Sequence, residues 1–290
     1  MFEGSFVAIV TPFKNGKVDS VALKNLIEFH IENGTNGIVP CGTTGESATL
    51  NHAEHEEVIQ ITVDTCKGRI PVLAGTGSNA TQEAVELTQK AQKIGADGAL
   101  LITPYYNKPT QEGLYQHFSV VAKEANLPIV LYNVPGRTSV NMVSETVVRL
   151  SQIKNIVGIK EASGSLVQVS EIIASCDSNF SVISGEDALT WPMLAIGGKG
   201  VISVTANLVP DKFSKLCQAA KQGDVENAKA IHYELMKLND IMFVETNPIP
   251  VKAALALMGW IENEFRAPLC PPAKEHLSQL RTTLNDYGLL

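Results

Sequence analysis

Cysteine is sparse in this 290-residue chain and follows no pattern. Cys41, Cys66, Cys176, Cys217 and Cys270 are odd in number, scattered, and form no CxxC pair. They read as reduced thiols of a cytoplasmic protein. No apolar run reaches the ~18–20 residues a membrane span needs. The opening stretch "MFEGSFVAIVTPF" lacks a basic n-region and meets Pro12 early, so a signal peptide is not expected. Basic clusters are also missing. Lys and Arg number 23 against 30 Asp and Glu, a formal net charge of −7. That balance argues against nucleic acid or an anionic membrane as a partner. There is no low-complexity tract and no flexible linker.

What is present is ordinary for a folded chain with a large core: 44% hydrophobic and 18% charged residues. Eight short runs read as strands: "GSFVAIVTP", "GIVPCG", "IPVLAGTG", "DGALLITPYY", "LPIVLYNVP", "NIVGIKEAS", "FSVISGE" and "GVISVTA". They are almost continuously apolar, as parallel strands covered on both faces should be. Amphipathic segments such as "SVALKNLIEFHIENG" and "TQEAVELTQKAQKIG" lie between them. Eight strand–helix units of roughly 30 residues predict a TIM-type (β/α)8 barrel. A doubly wound sheet is the alternative, but even spacing favours closure. After "DKFSKLCQAAKQG" the alternation stops and three helical segments follow. The expected division is a barrel over residues 1–223 and a small C-terminal helical domain over 224–290.

Functional groups of such a barrel gather at the C-terminal ends of its strands. Strand two ends in Thr43, Thr44 and Glu46, strand four in Tyr105 and Tyr106. Strand five ends in Tyr132 with Arg137 beyond, strand six in Lys160 and Glu161, strand seven in Gly185, Glu186 and Asp187. Lysine is seldom buried, so Lys160 after the apolar "VGI" stands out. Burial lowers a lysine pKa from its usual value of about 10.4. The neutral amine can then attack a ketone and form a Schiff base. An ion pair is the plain alternative. Glu161 is a poor partner for one, because adjacent strand residues face opposite ways.

"GTTGES" lies between a strand and a helix, where backbone N–H groups bind anions such as carboxylates. It also reads as an ordinary capped turn. Arg137 in "YNVPGRTS" can hold a carboxylate bidentately or simply be solvated. The tyrosines can relay protons or pack as core. "GTGSNA" matches a dinucleotide fingerprint, but it sits on the third unit and no acidic residue ends the next strand, so nicotinamide binding is not expected. His52 and His55 share a helix face without a further ligand nearby, so no metal site is expected. His30, His117, His232 and His276 stand alone.

Together, "GTTGES", "PYYN", "YNVPGRT" and "GIKEAS" in this order strongly resemble the 4-hydroxy-tetrahydrodipicolinate synthase (dihydrodipicolinate synthase) family. These are pyruvate-dependent class I aldolase-like enzymes of bacterial lysine and diaminopimelate synthesis. The likeness extends over nearly the whole chain, including "GLYQHF", "GVISVTAN" and "NPIPVK". It implies a lyase in which Lys160 is the Schiff-base lysine. It gives Thr43, Tyr132 and Tyr106 as a proton relay, with Tyr106 reaching in from a neighbouring subunit. Thr44 would hold the pyruvate carboxylate, Arg137 the carboxylate of L-aspartate 4-semialdehyde, and Gly185 and the Ile202 backbone would complete the pocket. No organic cofactor or metal is implied, because the lysine imine is the electron sink. The resemblance further implies a homo-oligomer, a dimer or a dimer of dimers. It also implies feedback inhibition by L-lysine at Ser47, Ala48, His52, His55, Asn79, Glu83 and Tyr105.

Sister aldolases, N-acetylneuraminate lyase or ketodeoxy-sugar aldolases, share the lysine and the strand-five tyrosine. A catalytically dead ligand sensor on the same scaffold is a rival of another class. "GTTGE" and Arg137 favour the synthase, since a sugar has no matching carboxylate. The full set of Lys160, Tyr132, Thr43 and Tyr106 argues against the sensor.

Overall fold

A computed structural model describes residues 2–290. Eight strands form the barrel: β1 (Gly4–Ala8), β2 (Gly37–Val39), β3 (Leu73–Gly75), β4 (Gly98–Ile102), β5 (Ile129–Asn133), β6 (Ile156–Glu161), β7 (Ser181–Ser184) and β8 (Gly200–Ser203). All pair in parallel, in the order β2-β1-β8-β7-β6-β5-β4-β3. A lone parallel bridge between Ile38 and Val72 joins the two ends of that order. The expected (β/α)8 barrel is therefore the fold. The second strand is shorter than "GIVPCG" suggests. Proline has no N–H for a ladder, and Cys41 adopts a left-handed backbone with φ 56°.

A helix follows each strand: α1 (Ser20–Glu32), α2 (His52–Cys66), α3 (Thr81–Ile94), α4 (Gln111–Glu124), α5 (Ser144–Ser151), α6 (Leu166–Ser175), α7 (Thr190–Ala195) and α8 (Pro210–Lys221). Their starts are set locally. Asp19 accepts from the N–H groups of Val21 and Ala22. Asn51 and Glu54 form a reciprocal capping box on α2. A short helical turn, Pro135–Thr138, carries Arg137 after β5, and three more helices lie beyond the barrel: α9 (Val225–Ile241), α10 (Ile249–Leu257) and α11 (Lys274–Asp286). None of the helices among the described residues is long and apolar enough to cross a membrane.

The core is layered. Strand residues facing outward pack against the helices in two clusters, and one of these also holds Leu235, Leu238, Val251 and Leu280 of the C-terminal helices. The barrel interior is a third cluster, with Phe2, Phe6, Leu73, Leu100, Val130 and Ile183 among its members. Phe2 and Phe6 meet edge-to-face, ring centroids 6.0 Å apart, and fill the end where the strands begin. Gly37 is opposite Phe6 in register. A Cβ there would lie 2.0 Å from the Phe6 ring, so only glycine leaves the ring its place. With that end filled by aromatic carbon, the polar groups collect at the other.

Candidate active site

Lys160 lies near the end of β6, its residue 5% exposed. Strand register sets it between Tyr132 on β5 and Ile183 on β7. Its Nζ is 4.4 Å from the centre of the Tyr132 ring. Burial among these strands lowers the lysine pKa to about 8; the Asp187 carboxylate opposes this and the Arg137 guanidinium adds to it. Burial thus raises the share of neutral, nucleophilic amine near neutral pH far above that of an exposed lysine. Burial pushes the Tyr132 phenol up to about 12, with Arg137 and Thr43 partly offsetting it. The phenol is thus a proton donor or carrier at neutral pH rather than a phenolate.

Glu161 faces away, as strand alternation requires. Its carboxylate accepts from the N–H of Ser163 at 2.7 Å, from Asn133 at 3.1 Å and from Gln168 at 3.2 Å. Asp187, rather than Glu161, is the carboxylate whose charge raises the Lys160 pKa. Its Oδ2 accepts from the N–H groups of Val204 and Thr205 at 3.1 and 2.8 Å. Its Oδ1 is buried without a protein partner.

Lys160, Tyr132, Thr43, Thr44, Arg137 and Gly185 all line one cavity of about 340 Å3. The threonines sit on the turn after β2. There Gly45 donates to the Gly42 carbonyl at 3.1 Å, Glu46 to Thr43 at 3.1 Å and Ser47 to Gly42 at 3.3 Å. Among the described residues, none of these bonds uses the N–H of Thr43 or Thr44, so both are free to face an anion. Gly185 is glycine for space: a Cβ would meet Lys160 Cε at 2.8 Å. Ile202 is buried in the barrel interior and is not among the lining residues.

A second cavity of about 480 Å3 is bounded by Ser47, Ala48, His52, His55, Glu83 and Tyr105. It shares Thr43, Tyr132 and Arg137 with the first. Asn79 does not line it; its carbonyl accepts from Asn107 at 2.8 Å. Glu83 pairs with His52 at 3.0 Å and accepts from the Ser78 hydroxyl, and these hydrogen bonds hold its carboxyl below the usual range. His55 bonds the Gly75 carbonyl through Nε2 at 2.8 Å, and burial lowers its pKa. A carbonyl only accepts, so Nε2 carries the proton and Nδ1 is the acceptor. Tyr106 joins neither cavity. It is 90% exposed, with a left-handed φ of 74°.

Sequence reasoning missed Asn247. Its side-chain amide donates to the Thr44 hydroxyl at 3.0 Å, and its carbonyl accepts from Arg137 at 3.2 Å. It lines both cavities. The only hint was its place at the head of "NPIPVK", where nothing local points to a site some 200 residues earlier in the chain. Also missed was a second buried lysine, Lys252, paired with Glu46.

The chain matches the model of the "Dihydrodipicolinate synthetase family" over residues 1–287. It is 58% identical over 290 residues to the 4-hydroxy-tetrahydrodipicolinate synthase of Nitratidesulfovibrio vulgaris strain DP4, covering 100% of this chain and 99% of that one. Among solved structures, it is similar to the chloride-inhibited dihydrodipicolinate synthase of Acinetobacter baumannii complexed with pyruvate. The TM-score there is 0.98 at 48% identity, over 100% of both chains. The enzyme of Cyanidioschyzon merolae with lysine bound gives a TM-score of 0.97 at 42% identity, over 100% of this chain and 99% of that one.

The Lys160 environment predicts a pH dependence. Imine formation requires the neutral amine, so its rate should rise with pH through a midpoint near about 8. Asp187 raises that pKa. Asp187→Asn should therefore shift the midpoint to lower pH, read as the pH profile of borohydride-trapped adduct. A shift upward would show that Asp187 does not act on Lys160 by its charge.

Proposed function

Since the chain belongs to the dihydrodipicolinate synthetase family, whose members are lyases of the Schiff-base aldolase type, we propose that it condenses pyruvate with L-aspartate 4-semialdehyde. The observation that carries this reading is a buried Lys160, its pKa lowered by burial, beside Tyr132 in a cavity that Thr44 and Arg137 also line. Pyruvate enters with its carboxylate on the N–H groups and hydroxyls of the Thr43–Thr44 turn. The Lys160 amine attacks C2, the oxygen leaves as water, and an iminium forms. Loss of a methyl proton gives the enamine, with Tyr132, Thr43 and Tyr106 carrying protons. The enamine carbon attacks the aldehyde, whose own carboxylate is held by Arg137. The semialdehyde amine then displaces Lys160 as the ring closes, and the lysine is regenerated.

In this reading the lysine supplies the electron sink, and neither a metal nor an organic cofactor takes part. The barrel, residues 1–223, carries the nucleophile, while residues 224–290 supply Asn247. The Arg137 backbone-carbonyl tether to Asn247 favours this substrate over a sugar, because it fixes a guanidinium where a second carboxylate arrives. The enzyme would work in the cytoplasm as a homo-oligomer, a dimer or a dimer of dimers. Ser47, Ala48, His52, His55, Glu83 and Tyr105 of the second cavity, with Asn79 outside it, would bind L-lysine as inhibitor, with Glu83 on an ammonium and His55 Nδ1 accepting from the other. The lysine bound to the Cyanidioschyzon merolae enzyme supports this.

Borohydride with pyruvate should fix an adduct on Lys160, seen by peptide mass spectrometry; an adduct on another lysine rejects the assignment. Arg137→Ala removes charge-assisted bonds worth roughly 1.5–3 kcal/mol. The KM for the semialdehyde should therefore rise about 10- to 100-fold while pyruvate trapping survives. Equal loss of both would show that Arg137 serves the fold or the first substrate.

Tyr106 would enter a neighbouring copy's site, a reading that its exposure on a single chain supports. Tyr106→Ala and Lys160→Ala chains, each nearly inactive, should regain activity in mixed oligomers. Hybrids that form without activity would refute the exchange.

Millimolar L-lysine should slow the wild type, and Glu83→Ala should abolish that inhibition. An unaffected wild type, or a fully inhibited variant, removes the second cavity from regulation.

A further inference from the structure

We infer that Lys252 is a positioning residue for the turn after β2: through Glu46 it holds residues 42–47 in the shape that presents Thr43 and Thr44 to the pyruvate carboxylate. This rests on the reading of the first cavity as the pyruvate site. Lys252 is on α10, in the C-terminal region, and its side chain and that of Glu46 are both fully buried. Its Nζ bonds Glu46 Oε1 and lies 4.3 Å from the centre of the Phe13 ring and 5.1 Å from that of Phe265. It lines neither cavity, so it cannot itself meet substrate.

The turn's own backbone bonds leave it strained. Cys41, just before it, and Glu46, within it, are non-glycine residues with left-handed backbones, φ 56° and 53°. Such conformations persist only where the surroundings fix them. Within the barrel region the Thr11 hydroxyl donates to the Gly45 carbonyl at 2.7 Å and the Thr49 hydroxyl to the Glu46 carbonyl at 3.1 Å. The others arrive from about 200 residues further along the chain. Lys252 takes one Glu46 oxygen, and the N–H of Arg266 reaches the other at 3.3 Å. The Arg266 guanidinium donates to the Thr49 carbonyl at 3.2 Å and grips Glu54 at 2.6 Å through both terminal nitrogens. Asn247 holds the Thr44 hydroxyl.

Glu46 is thus attached at both ends. Its backbone N–H closes the turn on the Thr43 carbonyl, and its carboxylate is fixed to α10. A shift of that carboxylate would carry with it the peptide groups of Thr43 and Thr44, two residues that line the cavity and whose N–H groups donate to no other described residue. A buried ion pair is weak evidence for stability, since well-packed apolar groups often replace it at no cost. That makes retention for geometry testable apart from retention for folding.

The test uses Glu46→Met with Lys252→Met in the full chain, which replaces the pair by apolar side chains of similar length, and Glu46→Asp as a second variant. Asp tolerates the left-handed backbone and keeps the charge, but is one methylene shorter. Three quantities are measured: the thermal unfolding midpoint, the pyruvate concentration that half-saturates borohydride trapping on Lys160, and KM for each substrate. The double variant should unfold near the wild-type midpoint yet need about tenfold or more pyruvate, with the semialdehyde KM changed less. Glu46→Asp should shift the pyruvate requirement in the same direction by less. A folded double variant with wild-type pyruvate dependence overturns the inference. If the double variant does not fold, Glu46→Asp decides, and a wild-type pyruvate KM there overturns it as well. A wild type that traps no pyruvate on Lys160 overturns both this and the function proposed above.

Discussion

A closed eight-stranded barrel leaves room inside for side chains and nothing more, and that limit governs the rest of the molecule. Phe2 and Phe6 occupy the end where the strands begin, so apolar carbon walls off one mouth. Any polar group at the other mouth is surrounded by strand backbone and buried hydrocarbon on all but one side. Lys160 stands there. Its lowered pKa is a direct outcome of that enclosure. The same enclosure raises the Tyr132 phenol, so one environment favours the neutral form of both groups.

The two buried lysines show how differently such a position can be resolved. Lys160 has no carboxylate in hydrogen-bonding contact; Asp187 influences it while spending one oxygen on the Val204 and Thr205 amides. Burial disfavours its charge and the amine becomes reactive. Lys252 is equally enclosed, but Glu46 is bonded to it and two aromatic rings face it. Burial lowers its pKa too, and Glu46 opposes that. Away from both cavities, it has nothing to react with.

Much of the fold was legible in the sequence because the signals are local. Near-continuous apolar strands, capped helices and eight even units predict the barrel, and strand ends point to Lys160, Tyr132 and the "GTTGES" turn. Alternation alone placed Glu161 on the opposite face, where its bonds to Asn133 and Gln168 now hold it. Asn247 and the Lys252–Glu46 pair were not legible. Their partners lie 203 and 206 residues away in sequence, and no periodicity connects such distant points. Tyr106 was visible as a motif, but a single chain gives its side chain no cavity to enter.

The ladder between β1 and β8 pairs Gly4 with Gly200 and Val7 with Ser203. On a ribosome, β1 therefore emerges some 200 residues before one of its two neighbours. Closing a loop of that length adds only modestly to the entropy of folding, because the cost grows with the logarithm of length. The delay is the greater consequence. Until some 200 residues have been made, β1 has an open edge of unpaired amides and carbonyls, the form of surface that recruits stray strands. Thr43 and Thr44 wait longer still, since Asn247 and Lys252 are made after the barrel can close. Nascent chains of this protein would pass through a stage with a complete sheet and an unsupported turn after β2, which is held in full only once residues 247–266 have been made.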